Sequence, residues 1–218
     1  MKKTTRNIVL LGALTAIELL MIMTPIGSLA IGELKITFAM LPVAVAAIAL
    51  GPAGGTIIGA VWGIGSFLCS MGIGMAPSKM LIALFAVNPF LTFVLCFVPR
   101  LLDGLFIGLL CKGLQKVLPP YPVFAITGFC AAFFNTAMFL GSLVIFFGKS
   151  DYVQNLLTKF EISELTLITA VVFMAALAGV NAVVEMISST VLTGAIGIGL
   201  HQAKLIEVSA GKTTGETA

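Results

Sequence analysis

The sequence predicts an all-α integral membrane protein: six transmembrane helices in one bundle, with both termini in the cytoplasm. Three observations carry this. Apolar residues make up 59% of the chain and charged residues only 10%, with a mean hydropathy of +1.15, too little polar surface for a soluble globule. Long apolar runs account for nearly all of the 218 residues, and the loops between them are too short to hold a second domain. Lysine and arginine also distribute unequally between the two sets of loops.

A bilayer core takes about 20 apolar residues per helix. The runs place spans at residues 7–24, 37–50, 53–73, 88–112, 121–147 and 165–200. The first follows a basic stretch from Met1 to Arg6, and Ser28-Leu29-Ala30 loosely resembles a signal-peptidase site. Its length, its Glu18 and the five spans behind it read as a retained first helix rather than a cleaved leader. The second run is short and ends at Leu50-Gly51-Pro52, a tight turn into the third. The sixth exceeds one crossing, so it tilts or projects into the cytoplasm.

With both termini inside, the cytoplasmic flanks carry Lys2, Lys3, Arg6, Lys112, Lys116, Lys204 and Lys212. The outer side carries Lys35, Lys79, Lys149 and Lys159, diluted by Glu33, Asp151, Glu161 and Glu164. Three outer segments, residues 24–35, 74–87 and 148–164, are long compared with the inner turns, which suggests a gated opening to the exterior. Residues 1–208 form the membrane domain, and 209–218, rich in Gly and Thr, read as a flexible cytoplasmic tail.

Several functions are excluded. The net charge is +3 with dispersed basic residues, not the clustered stripe of a nucleic-acid binder. Cys69, Cys96, Cys111 and Cys130 sit in apolar runs without metal-like spacing and read as buried, unpaired thiols. Gly148-Lys149-Ser150 imitates the end of a phosphate-binding loop, but Leu143 stands where its first glycine is required. The only histidine, His201, has no metal partners and no nucleophile to serve. The chain therefore reads as neither an enzyme nor a cofactor protein.

Two glycine patterns speak to architecture. Gly51, Gly55, Gly59 and Gly63 recur every fourth residue, and Gly104 and Gly108 repeat the spacing. Such stripes let neighbouring backbones approach closely. Gly12 and Ala16 form a further small pair in the first span. In a monomer it is internal packing, in a subunit a docking face for another membrane protein, and the residues alone leave both open.

The functional signal lies in polar residues stranded inside apolar runs: Glu18, Arg100, Asp103, Asn135, Asn181 and Glu185. Ionisable groups at membrane depth must be paired or given a ligand. Arg100 keeps its charge and needs an acceptor. Asp103, three residues on, could satisfy it on the same helix face. Alternatively the planar guanidinium awaits the carboxylate of an anionic substrate. Asn135 and Asn181 offer a donor and an acceptor each, and they fall at comparable depth. Glu185 lies one turn from Asn181, as suited to a structural or gating role as to ligand contact. Asn88, before Pro89, is a helix-start residue that can also face the outer cavity.

The stretch ITFAMLPVAVAAIALGPAGGTIIGAVWGIGSF resembles the substrate-binding subunits (S-components) of bacterial energy-coupling factor (ECF) vitamin transporters, through Pro42, Gly51, Pro52 and Gly55. NPFLTFVLCFVPRLLDGL and GVNAVVEMISSTVLTGAIG look most like the pantothenate-specific branch. The resemblance spans most of residues 8–200. It implies a six-helix bundle in the bacterial cell membrane that captures a vitamin outside, capped by the loop between helices one and two. It also implies a transmembrane coupling protein and two ATPase subunits as partners, and reorientation of the subunit in the lipid to deliver the vitamin inward. The family's docking motif in helix one falls on Gly12 and Ala16, with Gly replacing the first Ala.

Pantothenate carries one carboxylate, one amide and hydroxyls, a fair complement to Arg100 with asparagines. A flat aromatic vitamin would call for more stacking than one Trp and two Tyr offer, although 16 Phe soften that contrast. Related branches take folate, riboflavin, pyridoxine or cobalamin. Two further readings stand beside this one: an autonomous secondary transporter in which Glu18, Asp103 and Glu185 relay protons, and a scaffold without a ligand.

Overall fold

In the computed structural model, residues 3–31, 34–74 and 78–206 are described. The expected tail at 209–218, together with Lys2, Glu33, Pro77 and Lys212, lies outside them. The elements are α1 (Lys3–Met23), a 3-10 turn (Pro25–Gly27), strands β1 (Ser28–Ile31) and β2 (Leu34–Thr37), α2 (Met40–Ser70), α3 (Lys79–Val87), α4 (Pro89–Leu114), α5 (Pro120–Phe147), α6 (Asp151–Lys159) and α7 (Leu167–Gln202).

Among the described residues five helices, α1, α2, α4, α5 and α7, are long and apolar enough to cross a membrane, where the sequence predicts six. The difference lies at Gly51. This residue takes φ 73°, ψ −162°, a conformation open to glycine, and α2 is two helices joined through it. The Ala46 carbonyl and the Ala47 side chain lie against Gly54 and Gly55, eight residues further on. A straight helix would hold those groups about 12 Å apart, so the chain reverses and the limbs 40–50 and 52–70 run back to back. The first limb, at about 16 Å, is too short by itself for a hydrocarbon core of about 30 Å.

The glycine stripes form the seam between the second limb of α2 and α4. A Cβ on Gly55 would land on the Gly104 carbonyl oxygen, and one on Gly104 on that of Gly55. Gly59 meets Arg100 in the same way, Gly63 meets Phe97, and Gly108 meets Pro52. Rising numbers on one helix pair with falling numbers on the other, so the two run antiparallel with their backbones in contact. This fixes Trp62 and Arg100 at one depth.

The remaining helices enclose that pair. Ile22 of α1 packs on Gly65 of α2. The α5–α7 pair is antiparallel: the Ser189 hydroxyl donates to the Gly128 carbonyl at 2.7 Å, and Phe124 lies against Gly197. Thr166 and Thr169 cap the start of α7 reciprocally, and the helix bends at Gly179 (φ 46°, ψ −138°) without losing its course along α5. Its 36 residues make about 54 Å of helix, more than one crossing, as expected.

Two short helices fall in segments read as loops. Ser78 accepts the Leu81 N–H to start α3, and Ser150 accepts that of Val153 to start α6. Val153, Leu156 and Leu157 of α6 are buried, so this short helix is amphipathic and packs by one face. Ile8, Leu20, Phe90, Phe133, Ile145, Val171, Val180 and Ile187 face outward, an apolar surface far beyond the few hundred Å² of a soluble monomer. The six polar residues stranded in the apolar runs are inside. The chain is a multi-pass helical membrane protein.

The seam makes a direct prediction. Gly55→Ala drives a methyl into the Gly104 backbone and should lower stability in detergent by about 1–3 kcal/mol. Gly12, with no neighbouring atom within 4 Å, should accept alanine at no loss. Thermal unfolding of the two purified variants beside the native protein reads the contrast.

Candidate functional site

A cavity of about 150 Å³, room for roughly five waters at their liquid volume, lies near the end of α1, beside Met21 and Ile22. Its walls come from α2 (Trp62, Ser66, Cys69), α4 (Arg100), α5 (Asn135, Thr136, Phe139) and α7 (Asn181, Glu185). Ser28 and Thr37, the paired ends of the β1–β2 hairpin, and Ser78 at the start of α3 complete it.

Arg100 is the charged centre. Its residue is 7% exposed, and its guanidinium carbon lies 5.0 Å from the ring centroids of both Trp62 and Phe139. Both rings hold the cation through the attraction of a π face for positive charge. One end is satisfied locally: Nη1 donates to the Cys96 carbonyl at 3.0 Å and reaches the Leu95 carbonyl at 3.4 Å. The second contact follows from Pro99. Proline has no N–H, so the carbonyl four residues earlier, that of Leu95, loses its helical partner, and the neighbouring arginine takes it. Nε has no hydrogen-bond partner.

Asp103 does not neutralise this arginine. It is fully buried, and neither of its carboxylate oxygens has a hydrogen-bond partner. The self-satisfied Arg100–Asp103 pair, one of the two readings of the sequence, is not formed. Glu18, the buried residue of α1 one turn beyond Leu14, is likewise fully buried with both oxygens unpartnered. Asp103 and Glu18 do not line the cavity.

Asn135, Asn181 and Glu185 reach the cavity with Arg100, so four of the expected contact residues come together from three helices. Asn135 Oδ1 is buried without a partner. Glu185 is already engaged: one oxygen accepts the Thr37 backbone N–H at 2.7 Å, the other the Thr136 hydroxyl at 3.4 Å. Asn88 is not in the wall. It caps α4, its Oδ1 accepting the Leu91 N–H at 3.0 Å, with Pro89 in the first turn. A cap turns its side-chain oxygen back onto its own helix.

The sequence did not single out Trp62, Phe139, Thr136, Ser66, Thr37 or Ser78. Two carried a signal: Trp62 is the only tryptophan, and Phe139 lies one helical turn beyond Asn135, on its face. Gly12 and Ala16 are exposed on α1, which removes internal packing as the reason for that pair.

The sequence matches no known family model and no curated protein.

Asn88→Ala should cost about 1 kcal/mol of stability through the lost cap. Small-molecule affinity should stay unchanged, as titration calorimetry on the folded variant would read.

Proposed function

We propose that this chain is the substrate-binding subunit of an ECF-type vitamin transporter in a bacterial cell membrane, with pantothenate as its substrate. The observation that carries the reading is Arg100: a buried guanidinium held by two rings and its own helix, in the wall of a small-molecule cavity, with no hydrogen bond to its neighbouring aspartate. Such a cation matches a ligand carboxylate. Asn135, Asn181 and Ser66 on the same walls match an amide and hydroxyls. The resemblance of residues 37–67, 88–105 and 179–197 to S-components supports the same assignment.

On this reading the back-to-back limbs of α2 count as two crossings, giving six spans with both termini in the cytoplasm and the cavity facing outward. The subunit has no catalytic chemistry; a transmembrane coupling protein and two ATPase subunits supply the energy. Gly12 and Ala16 are its docking stripe, supported by the open space over Gly12 and the exposed face of α1. A second reading, a proton-coupled transporter acting alone, draws on the partnerless Glu18 and Asp103. It requires uptake by the chain alone in vesicles under a pH gradient; the subunit reading requires none without the ATPase module.

Two experiments test the assignment. The native chain should bind pantothenate, and Arg100→Gln should weaken binding by roughly 10- to 150-fold, the worth of a charge-assisted hydrogen bond. Pantothenol, which has an alcohol in place of the carboxylate, should bind both proteins equally weakly; equal affinity of native and variant chains for pantothenate would remove the assignment. Gly12→Trp should leave pantothenate binding intact and abolish uptake by the assembled transporter.

A further inference from the structure

We propose that Glu185 is a positioning residue whose carboxylate latches the β1–β2 hairpin over the cavity, rather than a contact for the ligand. The argument starts from the hairpin. Ser28 pairs with Thr37, and next to them the Phe38 N–H donates to the Gly27 carbonyl at 2.8 Å. In an antiparallel ladder hydrogen-bonded pairs alternate with pairs whose N–H groups point outward. The Ser28–Thr37 pair is of the second kind, so the Thr37 N–H leaves the hairpin unsatisfied by any strand.

That N–H finds Glu185, 148 residues away, at 2.7 Å. The same carboxylate takes the Thr136 hydroxyl on α5. One buried side chain thus ties the hairpin to two helices, at the place where Ser28 and Thr37 form cavity wall. Ile36, beside Thr37, is 2% exposed, so apolar contact adds to the bond. A buried carboxylate is costly unless it accepts hydrogen bonds. Lifting the hairpin removes the short one, so the hairpin's position and the solvation of Glu185 are linked. With its two oxygens so engaged, Glu185 borders the cavity, while Arg100 Nε and Asn135 Oδ1 have no hydrogen-bond partner.

The latch holds whatever the ligand is, so its test uses the ligand-free protein. Cys69 lies in the cavity wall and is buried; its rate of modification by a water-soluble methanethiosulfonate, mapped by mass spectrometry, reports opening. Glu185→Ala should raise that rate about tenfold or more, the worth of a charge-assisted bond. Glu185→Gln keeps a carbonyl acceptor and should restore most of the protection. Replacing the Thr37 peptide N–H by an ester oxygen leaves Glu185 in place and should match Glu185→Ala; it decides the matter if the alanine variant fails to fold. A rate within twofold of native in either folded variant would overturn the latch. Failure of pantothenate to bind would not touch this result.

Discussion

A guanidinium cannot shed its charge in oil, and the fold around Arg100 is organised by that constraint. Its faces are held by Trp62 and Phe139, and one end by carbonyls of its own helix. Pro99 and Arg100 act as a unit, the first leaving a carbonyl without a partner and the second supplying one. Rings satisfy a cation without neutralising it. A carboxylate in the same place would have consumed the charge. The arrangement therefore keeps a buried positive site available at the edge of a cavity.

Backbone contact between α2 and α4 makes the clamp possible. The Gly55–Gly104 and Gly59–Arg100 approaches leave no room for side chains, so Trp62 and Arg100 meet at a fixed height. The reversal at Gly51 brings the short limb 40–50 behind this seam; Met40, Val43, Ala44 and Ala47 are almost wholly buried there. Glu18 and Asp103 are sealed within the bundle without hydrogen-bond donors.

The sequence was most informative where one physical rule dominated. Run lengths located the long helices to within a few residues, because the bilayer sets their length. All six stranded polar residues proved buried, because lipid leaves them nowhere else to go. The legible part of the site stopped at helix faces. Whether Arg100 would meet Asp103 or a ring depends on rotamers and on which helix faces which, and i, i+3 spacing does not decide that. Trp62 comes to Arg100 through a seam 41 residues long in sequence separation, from Gly59 to Arg100, beyond any local pattern. The Thr37–Glu185 bond was invisible for a related reason: it involves a backbone N–H, which every residue but proline carries. Asn88 caps α4 as its place before Pro89 suggests, and it does not line the cavity.

The most direct test of the central claim is an experimental structure of the chain with pantothenate bound, at a resolution that shows the ligand carboxylate. The account predicts that carboxylate within about 3 Å of the Arg100 guanidinium, with Trp62 and Phe139 still on its faces. Arg100 paired with Asp103 instead, and the ligand's carboxylate elsewhere, would contradict it.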